Sequence, residues 1–108
     1  LIVTGYKETH TDNGNTGTAQ TIDISDSTLQ TYTLNGNCTF TMPTADAGRS
    51  FTMFLKTGAG SLTATFTGAK FPDNVAPTIS TTANRMDILT FYSDGTNWYG
   101  SAQQEYHV

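Results

Sequence analysis

Apolar and polar residues alternate one for one through much of this chain. Leu62, Ala64 and Phe66 interleave with Thr63, Thr65 and Thr67, and Phe51, Met53 and Leu55 repeat the pattern with Phe54 on the opposite side. A period of two sends successive side chains to opposite faces of a strand. Nowhere do apolar residues hold the i, i+3, i+4, i+7 spacing for three turns, so essentially no helix is expected. Threonine supplies 22 of the 108 residues, and its branched Cβ suits a pleated, half-buried surface. These features predict one all-β domain, an antiparallel β-sandwich or jelly-roll-like fold of about seven or eight short strands. Residues 1–16, which include the turn-forming Asp12-Asn13-Gly14-Asn15-Thr16-Gly17 run, read as a lead-in or linker, and residues 17–108 as the domain.

Three local units follow. Asn35-Gly36 has the composition of a two-residue type I′ turn, predicting a hairpin over 28–42 with Leu29, Cys38, Phe40 and Met42 on one face. Strands over 50–56 and 61–67 flank the glycine-rich 57–60 turn, and an irregular stretch over 68–77 precedes a brief strand near 78–81. A last hairpin joins Asp87–Ser93 to Asn97–Ala102 through Asp94-Gly95. A two-residue loop there sets Phe91 opposite Trp98, whereas a bulge at Gly95 moves Trp98 opposite Thr90 or Tyr92. In either register Ile88 and Tyr92 share one face and Leu89 and Phe91 the other. A strand apolar on both sides is central or meets a neighbour.

Several function classes find little support. Only five Lys and Arg residues stand against nine carboxylates, giving a net charge of −4, and they lie too far apart for the basic stripe of a nucleic-acid interface. No apolar run approaches the ~20 residues of a membrane span and no signal peptide is visible, so a soluble protein is expected. Because the first residue is Leu1, the chain is expected to be trimmed or part of a longer one. Cys38, the only cysteine, excludes an intrachain disulfide and a cysteine-built metal site. Its place beside Phe40 predicts a packed thiol rather than a nucleophile, and His10 and His107 read as solvated polar residues, so no catalytic residue is assigned. The run from Asp12 resembles a calcium loop only superficially, with Gly14 where an oxygen ligand belongs and Asp23 at the twelfth position. No metal or cofactor is expected.

The aromatic residues are more informative. Phe54, Tyr92, Trp98 and Tyr99 cannot all share one interior, because neighbours in a strand point to opposite faces. The outward ones are expected either to meet another copy of the chain or to stack on a sugar ring.

Four segments, Asn15–Asp23, Thr33–Phe40, Arg49–Leu55 and Asp87–Gly100, resemble a β-domain that recurs in bacteriophage virion proteins, particularly tail fibres and related appendages of marine and cyanobacterial phages. The resemblance covers residues 15 to about 104 and rests on turn chemistry and core patterning. It implies a non-enzymatic structural protein on the exterior of a virion, a homotrimer within a tail fibre or other protrusion, in contact with other virion proteins. Two alternatives stand beside it: a capsid decoration protein, and an adhesin that binds host glycan. A glycan hydrolase would need two carboxylates about 5 to 10 Å apart in one cleft.

Overall fold

The computed structural model describes all 108 residues. Nine strands and one 3-10 turn form two sheets, bearing out an all-β chain almost without helix. The chain passes from sheet to sheet. β1 (His10–Asn15) lies in the large sheet and β2 (Ala19–Thr21) in the small one. β3 (Leu29–Leu34) then returns beside β1, β4 (Cys38–Thr41) lands beside β2, and the same step places β5 (Ser50–Thr57) beside β3 and β6 (Ala64–Thr67) beside β4. The result is three turns of a coil. β7 (Ala69–Lys70), a 3-10 turn at Pro72–Asn74, β8 (Arg85–Ser93) and β9 (Trp98–His107) complete the large sheet in the order β1-β3-β5-β8-β9-β7, against β2-β4-β6.

The antiparallel expectation is therefore overturned. The pairings β1–β3, β3–β5, β2–β4, β4–β6 and β7–β9 are parallel, and only β5–β8 and β8–β9 are antiparallel. The hairpin predicted at Asn35-Gly36 does not form, because that pair turns a corner between the sheets and its partners lie in the neighbouring coil turns. Asn35 Oδ1 accepts the Gly17 N–H at 2.8 Å, and Asn37 Oδ1 accepts the Thr63 N–H at 3.0 Å. A Cβ on Gly36 would stand 3.3 Å from the Gly17 carbonyl oxygen, so the small residue serves the stacking of corners.

Parity changes with pairing. Cys38, Phe40 and Met42 face inward as expected, but β3 buries Gln30, Tyr32 and Leu34, while Leu29 faces outward and is half-buried. Buried Gln30 is satisfied: its Nε2 donates to the Asp23 and Ser27 carbonyls, and the Tyr32 hydroxyl donates to its Oε1 at 2.8 Å. These bonds tie the loop between β2 and β3 to the coil interior. Residues 1–9 carry no strand and are exposed, whereas His10–Asn15, expected within the lead-in, is the edge strand of the large sheet.

The core lies between the sheets. Phe40 stacks on Phe66 at 5.2 Å, Phe51 on Phe91 at 4.9 Å, and Phe66 meets Phe91 at 5.8 Å, joining the two layers. Inward positions grow apolar along the coil, from Thr11 through Gln30 to Met53 and from Gln20 through Phe40 to Phe66. The first turn is thus a polar end. Its edge is blunted as well: the β1 register shifts between Asp12 and Asn15, with Gly14 at φ +70° and its N–H held by Asp12 Oδ1. An irregular, charged edge is a poor template for further strands.

The brief strand expected near 78–81 is instead an irregular segment whose Ile79 and Ser80 are buried. Asp87, fully buried on β8, fastens it. Its Oδ2 accepts the Ser80 N–H at 2.8 Å, while its Oδ1 accepts the Ser80 hydroxyl at 2.5 Å and the Glu105 N–H at 3.1 Å.

Candidate functional site

The outer face of the large sheet gathers most of the outward aromatic residues. In the antiparallel register Phe54 of β5 lies opposite Ile88 of β8, and Tyr92 of β8 lies opposite Tyr99 of β9. Phe54 and Ile88 are half-buried, as are Leu29 and Met86 on the same face, whereas Tyr92 is 61% and Tyr99 44% exposed. From Ile88 to Tyr92 is four residues, about 13 Å along the strand. One unpartnered face therefore has an aliphatic-aromatic middle and a tyrosine pair at one end. β8 sits between β5 and β9, a central strand with its inner face on the core and its apolar outer face only half covered.

Trp98 does not belong to this set. The loop between β8 and β9 has four residues, Asp94–Asn97, so Ser93 pairs with Trp98 and Phe91 with Gly100, a register outside those anticipated. Trp98 shares the inward face with Phe91, is 1% exposed, meets Phe51 edge-on at 5.2 Å and donates its Nε1–H to the Pro43 carbonyl at 2.7 Å. It is a core residue, not a contact residue.

The loop owes its length to Asp94. Its Oδ1 accepts the Thr96 N–H at 2.9 Å and the Asn97 N–H at 2.8 Å, and its Oδ2 accepts the Tyr99 hydroxyl at 3.1 Å. The Asn97 and Thr96 amides hold its carboxyl below the usual carboxylate range. A tyrosine pair, a carboxylate and the Asn97 amide thus converge at an exposed tip. Sequence reasoning found the tyrosines but missed Asp94 and Asn97, although Asp-Gly-Thr-Asn is a turn sequence in which the Asp side chain can accept backbone N–H groups.

The other candidates lie apart from this tip. Cys38 is buried in the small sheet, where burial pushes its thiol up against the opposing effect of a Thr16 hydrogen bond. His10 Nε2 and Thr31 Oγ1 share a hydrogen bond of 2.7 Å on the edge strand, and His107 lies exposed at the end of β9. No three His, Cys, Asp or Glu residues come together as a metal-holding group, and no helix is long and apolar enough to cross a membrane.

Buried Tyr32 gives the coil a pH signature. Burial, then the charge of Asp23, pushes its hydroxyl up to about 12 from 10.0. Between those values the folded chain holds a proton that the unfolded chain releases, so stability falls as pH rises through the window. Tyr32→Phe is expected to lessen that alkaline loss, measured by urea melts on both sides of pH 10.

Compared with family models, curated proteins and solved structures, the chain matches none.

Proposed function

We propose that this chain is a non-enzymatic structural protein of a bacteriophage virion, forming part of a homotrimeric tail fibre or other surface protrusion. The observation that carries the reading is the outer face of the large sheet, where Leu29, Phe54, Met86 and Ile88 are only half-buried within one chain. Apolar surface left in water stabilises association when a second surface covers it. The family resemblance supplies the virion context. On this reading the two sheets form a sandwich-like body, related to a jelly-roll in layering but wound as a coil. Copies meet across the large sheet, and the Asp94–Asn97 tip faces outward. Sedimentation of the purified chain, 11.6 kDa per copy, is expected to give a trimer. Phe54→Lys and Ile88→Lys are each expected to shift it toward monomer with the β-sheet circular dichroism retained. A wild-type monomer would overturn the reading.

A second reading is favoured by one observation, the convergence of Tyr92 and Tyr99 with Asp94 and Asn97. Tyrosine faces stack on the C–H face of a sugar, and carboxylate and amide groups bind its hydroxyls. Binding to a host-glycan array is expected, with Tyr92→Ala lowering it about tenfold, the equivalent of about 1.4 kcal/mol. Equal binding by wild type and Tyr92→Ala would reject glycan contact and leave the assembly role untouched.

A further inference from the structure

One segment of the chain is placed against the grain of its composition. Residues 1–9 form no strand and are exposed throughout, yet Leu1, Ile2, Val3 and Tyr6 are apolar. Ile2 is 94% and Tyr6 84% exposed, so these side chains lie against nothing in their own body. Contiguous apolar surface in water marks a contact with another surface. Ile2 and Val3 are also β-branched and favour an extended backbone.

The far edge of the large sheet has the complementary defect. β7 pairs with β9 only at Trp98 and Tyr99, while β9 runs on to His107 with no strand on that side. Where β7 stops, a groove of about 510 Å³ opens between β9 and the irregular stretch that follows β7. Phe71, Pro72, Val75 and Pro77 line it from that stretch, and Ala102 and Gln104 from β9. Gln104 Nε2 donates to the Thr78 carbonyl and ties the two together, so the groove is framed within one chain. It is not filled by that chain: Val75 is 66% exposed, and Phe71, Pro77 and Ala102 are only half-buried.

We propose that the segment Leu1–Glu8 of a second copy lies in this groove, extended along β9, so that each copy gives its segment to one neighbour and receives that of another. An added strand of this kind gains main-chain hydrogen bonds from the open edge and seats alternate side chains in the groove. Two observations select the occupant. The segment leads into β1 and the groove lies beside β9, near opposite edges of one sheet, and the chain's own segment would have to cross β3, β5 and β8 to arrive. A contact between unlike edges is head-to-tail and closes into a ring of copies. The charges also agree. With the segment antiparallel to β9, its apolar end lies in the groove and Lys7-Glu8 comes beside β7, where exposed Lys70 and Asp73 offer one opposite charge to each. The inference takes the number of copies in the ring from the assembly reading, but the contact itself does not use the outer face of the sheet.

The test is a magnetic one between copies. Unlabelled copies carrying a nitroxide on Ile2→Cys are refolded together with isotope-labelled wild-type copies, and amide signals are read from the latter alone. Because the observed copies carry no nitroxide, attenuation reports a neighbour's segment. The Val75, Ala76 and Ala102 amides are expected to lose intensity, and those of β2 and β4 to keep it. Val75→Asp in the observed copies, at an exposed position, is expected to weaken the contact about tenfold and restore most of that intensity with the remaining spectrum unchanged. No attenuation in the groove, attenuation spread evenly over the spectrum, or equal attenuation of Val75→Asp would overturn the proposal. So would attenuation found only when nitroxide and isotope share one chain, which would place the segment in its own groove. Sedimentation of the same samples separates the two readings. A trimer whose groove stays silent overturns this inference alone, whereas attenuation that persists in Phe54→Lys, with that variant still a trimer, overturns the sheet-face contact alone.

Discussion

Asp87→Ala is expected to destabilise the fold by about 3 kcal/mol, because it removes the acceptor of two buried Ser80 donors and of the part-buried Glu105 N–H at once. The Ser80 N–H, the Ser80 hydroxyl and the Glu105 N–H all point at this one carboxylate. Truncation leaves the two Ser80 donors buried without a partner. Asp87→Asn keeps the shape and one acceptor oxygen, and should fall between wild type and alanine. Urea unfolding measures both. Hydrogen exchange adds a local readout, since the Ser80 and Glu105 amides should lose protection more than those of β3. Equal stability of wild type and Asp87→Ala would show that the irregular segment over 78–81 is held by something else.

Trp98→Ala is expected to cost about 4 kcal/mol. The indole fills the space between Phe51 and Pro43 at the seam where the last hairpin meets the coil. Trp98→Phe retains much of the apolar bulk but leaves the Pro43 carbonyl without its donor, at a cost of about 1 to 2 kcal/mol. A thermal melt ranks the three proteins. Loss of glycan binding by Trp98→Ala with an unchanged melt would instead place the indole at the surface.

What could be read from the sequence was the strand, its period and most of its inward residues. Phe51, Met53, Leu55, Phe66, Leu89 and Phe91 lie where alternation put them, because period-two patterning depends only on having a wet side and a dry side. What alternation does not encode is which strand a given strand pairs with. Asn35-Gly36 satisfies the chemistry of a tight hairpin and of a coil corner equally well. The choice is made by Gly17, 18 residues from Asn35, and by Thr63, 26 residues from Asn37. The error then spread to β3, since antiparallel pairing with β4 demanded that Leu29 face inward and hid the role of Gln30. The candidate site divides in the same way. Phe54 and Tyr92 were recognisable as outward because a neighbour in the same strand was clearly inward, whereas Trp98 depended on a loop length that Asp94 sets through its own side chain.

The coil also has a bearing on how such a chain changes length over evolutionary time. Each circuit hands the next one two strand edges and a corner of matching shape, while the polar start and the closing hairpin serve only the two extremities. Duplication of a single circuit between them would lengthen the body by one layer and leave both extremities intact. A body assembled this way grows by whole increments, and its length becomes a heritable variable separate from the chemistry of its two ends.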